Sequence, residues 1–483
     1  MNRRDLIKTL GAGGATLAMS GCLEGGRGMA PAGLSPRGAA AGAPRGLHVS
    51  LGNDAASTRS VTWFHDGTEP PAGAVLEFDA VLPGMDAAQI QTTPMNLRVP
   101  AQADPTPGVE AWTLRATAEN IDPERPLRYR VGSQATGWSP VQVVAPTPSG
   151  DFRFTHFGDH GISARAQALS RQVLADDSDL LLLAGDLSYA NGDQPIWDTW
   201  FAQNEPLFAQ RVMMAAPGNH EEEDDAGRTF KNRFTHPNPM SSQIFGGNPG
   251  STFYSFDYNR VHFLVTTAGA LINDATLPEE ILAIETDLAL AAARRAAGQL
   301  DFIVVMQHFT IWTDQIGRSP ANPSLVALEE NILLRYGVDL LLVGHDHVYQ
   351  RSVPMGLGLA NPLGYVQMMV GTGGASIRLF DEDGPQSWSA RQFIGVGYAR
   401  YRVEGRVIRG EYLGAPPVDL SDEGRQSLGG DFRVVDSFEF RARGPELARQ
   451  FARPPRGPET LLANFEAIER HTRERNHHAR HHC

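Results

Sequence analysis

The chain has almost no cysteine. Only Cys22 and Cys483 occur among 483 residues, and neither lies in a segment that carries a strand or helix pattern. A disulfide therefore cannot form within the folded body, and neither an all-cysteine zinc site nor a cysteine nucleophile is available there. The stability of that body must come from its apolar core and from any metal that it binds.

Lysine is equally scarce, since Lys8 and Lys231 are the only two and arginine carries nearly all the positive charge. Acidic residues outnumber Lys and Arg by 55 to 42, which gives a formal net charge of −13. A general nucleic-acid binder needs a basic face to attract phosphates, so this balance argues against that class. An anionic substrate is not excluded, because bound metal ions would dominate the local field.

The N-terminal residues lack a hydrophobic run of membrane-spanning length, because residues 9–20 are short, weakly apolar and rich in glycine. Arg3 and Arg4, within Asn2–Lys8, resemble the twin-arginine export motif of bacteria, with an ordinary Sec signal as the alternative. Met19-Ser20-Gly21-Cys22 is similar to a lipobox, which would leave Cys22 lipidated. The alternative is an incidental cysteine near a conventional cleavage site.

We therefore expect residues 1–22 to be a twin-arginine signal with a lipobox. Export would deliver the protein to the periplasm or another extracytoplasmic location, with membrane attachment through lipidated Cys22. Residues 23–45 are mostly Gly, Ala, Pro and Arg without aromatic residues, which predicts a flexible linker.

Residues 46–146 have the pattern of an all-β domain. Five short segments of strand-like composition are separated by Gly, Pro and Asp, and no helical periodicity of useful length appears. The segments are LHVSLG, SVTWFH, AVLEFDAVL, AWTLRAT and LRYRVGS. We predict a β-sandwich of about 100 residues.

Residues 147–440 follow a β-α-β pattern. Strands are predicted at 152–157, 180–184, 211–216, 261–267, 302–307 and 338–343, and helices at 163–176, 195–208, 278–297 and 323–336. Beyond His347 the chain returns to strands at 365–370, 398–403, 406–412 and 432–440, which we expect to build a second sheet layer. The predicted architecture is a four-layer α/β domain, in which two mixed sheets are flanked by helices.

Residues 441–483 lose periodicity and are rich in Arg, Pro and His. Five histidines fall in the last thirteen residues, a composition that could sequester metal. The interpretation that we favour is an unstructured basic tail.

Five apolar runs of the α/β region each end in a short cluster of metal-ligand residue types. The clusters are Gly158-Asp159-His160-Gly161, Gly185-Asp186-Leu187-Ser188-Tyr189, Gly218-Asn219-His220-Glu221, His308, and Gly344-His345-Asp346-His347. A short apolar run bounded by Gly predicts a buried strand, and ligands gather beyond the carboxyl ends of such strands. The five strand ends therefore predict one polar, metal-binding opening.

The donors at these strand ends suit two ions better than one tetrahedral site. Asp186 could bridge two cations, Asp159 offers a second hard ligand, and Asn219 offers a neutral amide oxygen. Three imidazoles (His308, His345 and His347) suit zinc, iron or manganese, and the Tyr189 phenolate favours Fe³⁺. Two ions roughly 3.5–4 Å apart clamp the attacking and leaving oxygens in phosphoryl transfer.

The chemistry expected of such a site is phosphate ester hydrolysis. Metal-bound hydroxide would attack phosphorus in line with the ester oxygen, and His220 would orient the phosphate or protonate the leaving group. Taken singly the residues have other interpretations. An Asp after a strand is often a helix N-cap, His308 could be a core histidine, and Tyr189 could be plain packing. We interpret His160 as a structural residue.

The ordered set of clusters resembles the five motif blocks of purple acid phosphatases, which are calcineurin-like metallophosphoesterases. Trp197-Asp198-Thr199-Trp200-Phe201 and His345-Asp346-His347-Val348-Tyr349-Gln350-Arg351 are also similar to family sequences. The resemblance covers roughly residues 46–412, because the family commonly carries a fibronectin-III-like sandwich before its catalytic domain. It therefore implies a sandwich of that type at 46–146 and a metallophosphoesterase catalytic domain at 147–440.

The resemblance also implies metal assignments. Fe³⁺ would be held by Asp159, Tyr189 and His347, and a divalent ion (Zn²⁺, Fe²⁺ or Mn²⁺) by Asn219, His308 and His345. Asp186 would bridge the two ions, and Asn219 and His220 would also contact substrate.

One loop departs from the family. Plant-type members carry a His-His pair some nine residues after the ligand equivalent to His308, whereas this chain has Thr313-Asp314-Gln315-Ile316-Gly317-Arg318 there. Arg318 would bind phosphate instead, with a solvated loop charge as the alternative.

The expected activity is that of an acid phosphatase acting on phosphate monoesters. A phosphodiesterase with the same two-metal site is the first alternative, since such a core hydrolyses both ester types. The other alternative is a non-catalytic surface binding protein with a vestigial metal fold, but such proteins lose ligands and here none is missing.

Overall fold

The computed structural model describes residues 42–237, 252–268, 277–357, 359–457, 460 and 465–481. The predicted signal, Cys22 and most of the predicted linker lie outside these residues, so export and lipidation stay predictions. Within the described residues, no helix combines the length and the apolar character that crossing a membrane requires.

The strands are β1 (Arg45–Leu51), β2 (Arg59–Asp66), β3 (Val75–Ala80), β4 (Leu97–Pro100), β5 (Gln102–Pro105), β6 (Ala111–Ala118), β7 (Leu127–Ser133), β8 (Gly137–Trp138), β9 (Gln142–Val144), β10 (Phe152–Phe157), β11 (Leu180–Ala184), β12 (Val212–Ala216), β13 (Tyr254–Tyr258), β14 (Val261–Val265), β15 (Phe302–Met306), β16 (Leu340–Val343), β17 (Tyr349–Ser352), β18 (Met355–Gly356), β19 (Leu359–Ala360), β20 (Val366–Val370), β21 (Ser389–Phe393), β22 (Val396–Glu404), β23 (Val407–Ala415) and β24 (Arg433–Arg441).

The helices are α1 (Ala87–Thr92), α2 (Ala164–Ala175), α3 (Gln194–Phe208), α4 (Asn219–Glu222), α5 (Arg228–Arg233), α6 (Leu277–Ala296), α7 (Pro323–Leu325), α8 (Asn331–Tyr336), α9 (Pro445–Phe451) and α10 (Phe465–His481). A π-helical turn (Val326–Glu330) joins α7 to α8, and a 3₁₀ turn occupies Gly424–Gln426. The helix expected at 323–336 is thus interrupted by the π turn, which begins and ends on helical backbone.

The first sheet has ten strands in the order β24-β23-β22-β10-β11-β12-β1-β2-β6-β5. β10, β11 and β12 run parallel at its centre. β1 then pairs parallel with β12 through Val49 and Val212, so the N-terminal strands extend the same sheet. A smaller sheet, β4-β3-β7-β8 with β9 on β7, completes the β-rich region. The all-β pattern of this region is observed, and its fibronectin-III-like character and domain boundaries stay predictions.

The second large sheet has the order β13-β14-β15-β16-β20-β17-β21, with β14, β15, β16 and β20 parallel. The expectation that the strands beyond His347 build one layer is therefore wrong. β20 joins the second sheet beside β16, whereas β22, β23 and β24 extend the first sheet from β10. The physical reason is that β22 pairs with β10 along five residues and stacks Tyr401 on Phe154, with ring centroids 4.2 Å apart.

The two large sheets pack face to face, and helices cover their outer faces. Phe154 of the first sheet meets Phe263 of the second edge-to-face at 5.6 Å. Alternate residues of β15 divide between the two cores, because side chains of a strand point to opposite faces. Val304 joins the core between the sheets, whereas Val305 joins the core beneath α6 and α8. This arrangement confirms the predicted α/β fold with two mixed sheets.

The expectation of an unstructured C-terminal tail is wrong for the described residues. Phe451 at the end of α9 is buried beneath the guanidinium groups of Arg295 and Arg443. Asn476 of α10 donates a hydrogen bond to the Ala321 carbonyl at 2.9 Å. Basic composition suggested solvation, but a few apolar and amide side chains are enough to hold both helices on the body.

Candidate metal centre

The clusters predicted from the sequence follow β10, β11, β12, β15 and β16 at their carboxyl ends. Parallel strands bring these ends to one edge of each sheet, and the two sheets pack together, so the clusters converge. The structure brings together all seven side chains that were expected to bind metal: Asp159, Asp186, Tyr189, Asn219, His308, His345 and His347.

One group of donors consists of Asp159, Tyr189 and His347. The Tyr189 hydroxyl donates to Asp159 Oδ1 at 3.1 Å and lies 2.9 Å from His347 Nε2. His347 Nε2 lies 3.1 Å from the same carboxylate oxygen. Because the other ring nitrogen of His347 donates to the Ser376 carbonyl at 2.6 Å, Nε2 is the nitrogen presented to the group.

A second group consists of Asn219, His308 and His345. The Asn219 Oδ1 lies 3.1 Å from His308 Nε2 and 3.0 Å from His345 Nδ1. These two ring nitrogens are 3.2 Å apart. His308 Nδ1 donates to the Ala184 carbonyl at 2.8 Å, which fixes the ring and directs Nε2 toward Asn219.

Asp186 lies beside the second group and lines the same opening as His347 of the first group. Its Oδ2 lies 3.1 Å from His308 Nε2, and its Oδ1 accepts a hydrogen bond from the His220 amide at 2.9 Å. Ligand atoms of Asp186, His308 and His345 all lie within 4.8 Å of one another. Both groups border one opening of about 130 Å³, which is lined by Asp186, Asn219, His220, Gln315, Arg318, His345, His347 and Arg378.

Several of these donors have a left-handed backbone. The φ angles are 58° at Asp159, 50° at Asp186, 58° at Tyr189 and 69° at His345. A non-glycine residue in this region costs of order 1–2 kcal/mol, and such strain concentrates at functional sites. Position 218 requires glycine because the backbone there passes close to Asp186. A Cβ at this position would lie 2.2 Å from Asp186 Oδ1.

The electrostatics of the site favour positive charge. Burial alone would lower the pKa of His308, but attraction by Asp186 outweighs it and raises that pKa to about 10. Burial opposes ionisation of Asp186, yet attraction by His308 lowers the pKa of this carboxyl to about 2. Burial and the neighbouring His308 lower the pKa of His345 to about 2. The Asp186 carboxylate thus attracts a cation. A metal ion bound beside it would compete with the proton on His308.

Burial and the nearby Asp159 carboxylate raise the pKa of Tyr189 well above its ordinary value. A phenolate at this position therefore needs a compensating cation. The donor set fits such cations, because it combines hard oxygens with imidazoles whose free nitrogens face one another. The residues present thus suit a site for two ions.

His220 and Arg318 lie at the opening. His220 Nδ1 is 2.6 Å from Asn191 Oδ1, and its Nε2 is 3.8 Å from Asp186 Oδ2. The half-exposed Arg318 guanidinium pairs with Asp346, with Nε 3.1 Å from Oδ1. His160 instead accepts a hydrogen bond from the Trp200 indole and contacts Ser170, which are the contacts of a structural residue.

Sequence reasoning gave no role to Glu221, although it lies in a motif block. Its buried carboxylate accepts hydrogen bonds from the amides of Gly218, Asp186 and Leu187 at 2.7, 2.9 and 3.0 Å. Burial and the Asp186 charge raise the pKa of Glu221 to about 7. It therefore ties the loop after β11 to the loop after β12.

Two further residues at the opening, Gln315 and Arg378, were also missed. Gln315 accepts a hydrogen bond from the His347 amide at 2.9 Å, and Arg378 lines the opening. The Arg378 amide donates to the His347 carbonyl at 3.2 Å, which holds its loop beside the donors. No local pattern marks Arg378, because its position depends on a loop after β20.

Comparisons with known proteins find similar phosphoesterases. Residues 152–349 match the family described as calcineurin-like phosphoesterase. Acid phosphatase type 7 of Homo sapiens is 27% identical over 80% of this chain and 90% of its own length. Purple acid phosphatase 22 of Arabidopsis thaliana is 26% identical over 57% of this chain and 62% of its own length. Several plant relatives are thus matched over only half to two thirds of their length.

A purple acid phosphatase from yellow lupin (Lupinus luteus) seeds has a similar fold, with a TM-score of 0.67 and 20% identity. The similarity covers 86% of this chain and 78% of the lupin chain. The structure of PhoD is also similar, with a TM-score of 0.60, 12% identity and coverage of 91% of this chain and all of PhoD. Residues 152–349 therefore match a calcineurin-like phosphoesterase domain, and the chain has purple acid phosphatase homologues.

Proposed function

We propose that this chain hydrolyses phosphate monoesters at a dinuclear metal centre. The observation that carries the proposal is the position of Asp186, whose carboxylate contacts His308 of the second group and lines the same opening as His347 of the first group. A bridging carboxylate flanked by an oxygen-rich group and an imidazole-rich group suits two cations of different hardness. Two adjacent cations are the arrangement that phosphoryl transfer to water requires.

The harder group, Asp159, Tyr189 and His347, would hold Fe³⁺. The group of Asn219, His308 and His345 would hold a divalent ion such as Zn²⁺, Fe²⁺ or Mn²⁺, as the donor types suggest. When bound, the pair of ions supplies positive charge for the phosphate oxygens and lowers the pKa of water.

The remaining side chains at the opening would bind and orient the ester. The guanidinium groups of Arg318 and Arg378 both line it and can donate to phosphate oxygens. The Asn191 oxygen accepts a hydrogen bond from Nδ1 of His220, so Nε2 of the protonated ring can donate its proton to the leaving oxygen. Water adds to phosphorus, the P–O ester bond breaks, and the products are an alcohol and inorganic phosphate.

The monoester preference rests on charge. A phosphate monoester carries two negative charges near neutral pH and a diester carries one, so two arginines beside the donors favour the monoester. The same donors would also act on a diester, which keeps phosphodiesterase activity as the alternative.

The proposal is tested with para-nitrophenyl phosphate and its bis-ester, together with metal analysis of the purified protein. We expect a higher kcat/KM for the monoester, about two metal ions per chain, and loss of both activity and metal in Asp186→Asn. The matched control is Asp179→Asn, because Asp179 lies at the other end of β11 and binds the Arg153 amide. Preference for the bis-ester would replace phosphatase by phosphodiesterase, and turnover without metal would refute the dinuclear site.

We also propose that residues 1–22 direct export by the twin-arginine route and that Cys22 carries a lipid anchor. The support is the sequence of this segment alone. Cys22→Ser should move the exported protein from the membrane fraction to the soluble fraction. Replacing Arg3 and Arg4 by Lys should block export, and unchanged export would refute the twin-arginine route.

A further inference from the structure

A second cavity adjoins the metal opening. It measures about 430 Å³ and shares Arg318 and His345 with that opening. Its other lining residues include Phe309, Asn322 and Arg473. A group attached to a phosphate at the opening would enter this cavity directly.

The wall that carries Arg473 comes from α10, which is packed against the loop after β15. Glu469 accepts a hydrogen bond from the Ser324 hydroxyl at 2.9 Å, and Asn476 donates to the Ala321 carbonyl at 2.9 Å. The Arg475 guanidinium lies over the Trp312 ring, 5.6 Å from its centroid. Contacts at Glu469 and at Arg475 and Asn476 thus attach α10 to this segment on both sides of Arg473, which places Arg473 at the cavity.

The cavity presents two guanidinium groups. Arg318 is engaged by Asp346, a buried carboxylate that also lines the cavity. Arg473 contacts Glu469 at 2.7 Å along its own helix, and its side chain is 62% exposed. A guanidinium carries five N–H donors, so the contact of Arg473 with Glu469 leaves donors for a ligand. An exposed pair four residues apart on a helix is also weak enough for an anion to compete with it.

The opposite wall is partly apolar. The Phe309 ring lies edge-to-face with the His345 ring, with centroids 4.5 Å apart. Phe309 therefore offers a face to the carbon skeleton of a bound group beside the second group of donors.

We propose that this cavity is the leaving-group subsite of the enzyme, and that Arg473 selects phosphate esters whose leaving group carries a second anionic group. This inference rests on the proposed phosphatase function. It gives the C-terminal helix a role in specificity.

A matched series of esters tests the subsite. Glucose 1-phosphate, glucuronate 1-phosphate and glucose 1,6-bisphosphate share the carbon-1 phosphate and differ at carbon 6, which carries a hydroxyl, a carboxylate or a second phosphate. Because the carbon-6 phosphate is itself a monoester, the rate for the bisphosphate is measured as the formation of glucose 6-phosphate. We expect the two anionic esters to have the higher kcat/KM. The ratio of anionic to neutral kcat/KM should fall about fivefold in Arg473→Gln, because a solvent-exposed charge contributes modestly. Arg473→Lys keeps the charge and should retain most of the ratio.

Arg470→Gln is the matched control, because Arg470 is an exposed residue of the same helix that does not line the cavity. Its activity and ratio should equal those of the wild type. Equal ratios in Arg473→Gln and wild type, with phosphate still released from all three esters, would overturn the subsite and leave the phosphatase intact. Absence of phosphate release from every ester would overturn the proposed function as well. A response to the bisphosphate alone would support a phosphate-specific subsite and overturn one for carboxylates.

Discussion

The Tyr189 hydroxyl lies 2.9 Å from Nε2 of His347. The two residues reach this contact from the ends of strands in different sheets, β11 and β16. A phenol held against an imidazole and the Asp159 carboxylate is a suitable ligand set for a trivalent ion. The contact therefore places a tyrosine, the residue type that would distinguish a ferric site from other two-metal sites, beside His347.

Tyr189→Phe should abolish the colour of the protein. A phenolate bound to Fe³⁺ gives a visible charge-transfer band, and phenylalanine has no oxygen to form it. The measurement is a visible absorption spectrum of the iron-loaded protein. Tyr401→Phe is the control, because the buried Tyr401 hydroxyl has no hydrogen-bond partner among the described residues. A colourless, iron-free but fully active wild type would refute the ferric assignment.

Glu221→Gln should weaken metal binding and activity by about 10–100-fold, the range typical of residues that hold metal ligands in place. The carboxylate accepts three backbone N–H groups, whereas the glutamine NH₂ cannot accept and would face a donor. Metal titration of the variant measures the effect. Glu222→Gln, at the next position, should behave as wild type, and equal metal affinity in the two variants would contradict the role of Glu221.

Arg378→Ala should raise the KM for para-nitrophenyl phosphate about fivefold, since one charge-assisted contact to the phosphate is lost. The loss of metal should be negligible, because the Arg378 loop is held through its backbone amide and not its side chain. Steady-state kinetics with metal analysis separate the two effects. Arg409→Ala, in a different cavity, is the control. An unchanged KM in Arg378→Ala would remove this residue from the substrate contacts.

Stability should fall as the pH rises through the range in which buried Glu329 ionises. Burial, with a further contribution from Glu280, raises the pKa of Glu329 to about 8. Because folding raises the pKa of Glu329, the protonated carboxyl contributes fully to the stability of the folded state below pH 4.5, near the pKa in the unfolded chain. This contribution is lost as the pH rises through 8. Glu329→Gln removes the titration. Relative to this variant, the wild type should lose roughly 3 kcal/mol between pH 5 and 9.

Urea denaturation at a series of pH values measures that difference. Glu446→Gln, an exposed glutamate of α9, should follow the wild-type profile. Parallel pH profiles for wild type and Glu329→Gln would show that Glu329 is already ionised in the folded protein.

The fold was predictable where periodicity is strong. The buried strand Leu180–Ala184 and the helix Ala164–Ala175 appear within a residue or two of their predicted bounds. The strands after His347 were assigned to the wrong sheet, because alternation shows that a segment is a strand and not which strand it pairs with. The short helix Ala87–Thr92 was missed since six residues carry too little periodicity, although Asp86 and Gln89 form a capping box there.

The candidate site was predictable as a set of donors but not as a complete cleft. Asp186 and His308 stand in short motifs directly after strands, and strand ends of parallel sheets converge by geometry alone. Arg378 and Arg473 stand in no such motif. Their places depend on how a loop and a terminal helix pack on the body.

The sequence by itself determined which side chains are candidate metal ligands and in what order they follow one another, because a strand followed by glycine and a donor residue is a local pattern. The resemblance to a known family already implied how those donors divide, and the tertiary structure supplied the contacts, with Tyr189 beside His347 and His308 beside His345. Only the tertiary structure decided that the Arg-rich C-terminal segment lies against the loop after β15. The contacts of Tyr189 with His347 and of Asn476 with Ala321 join residues more than a hundred positions apart, and they depend on the packing of whole sheets and helices.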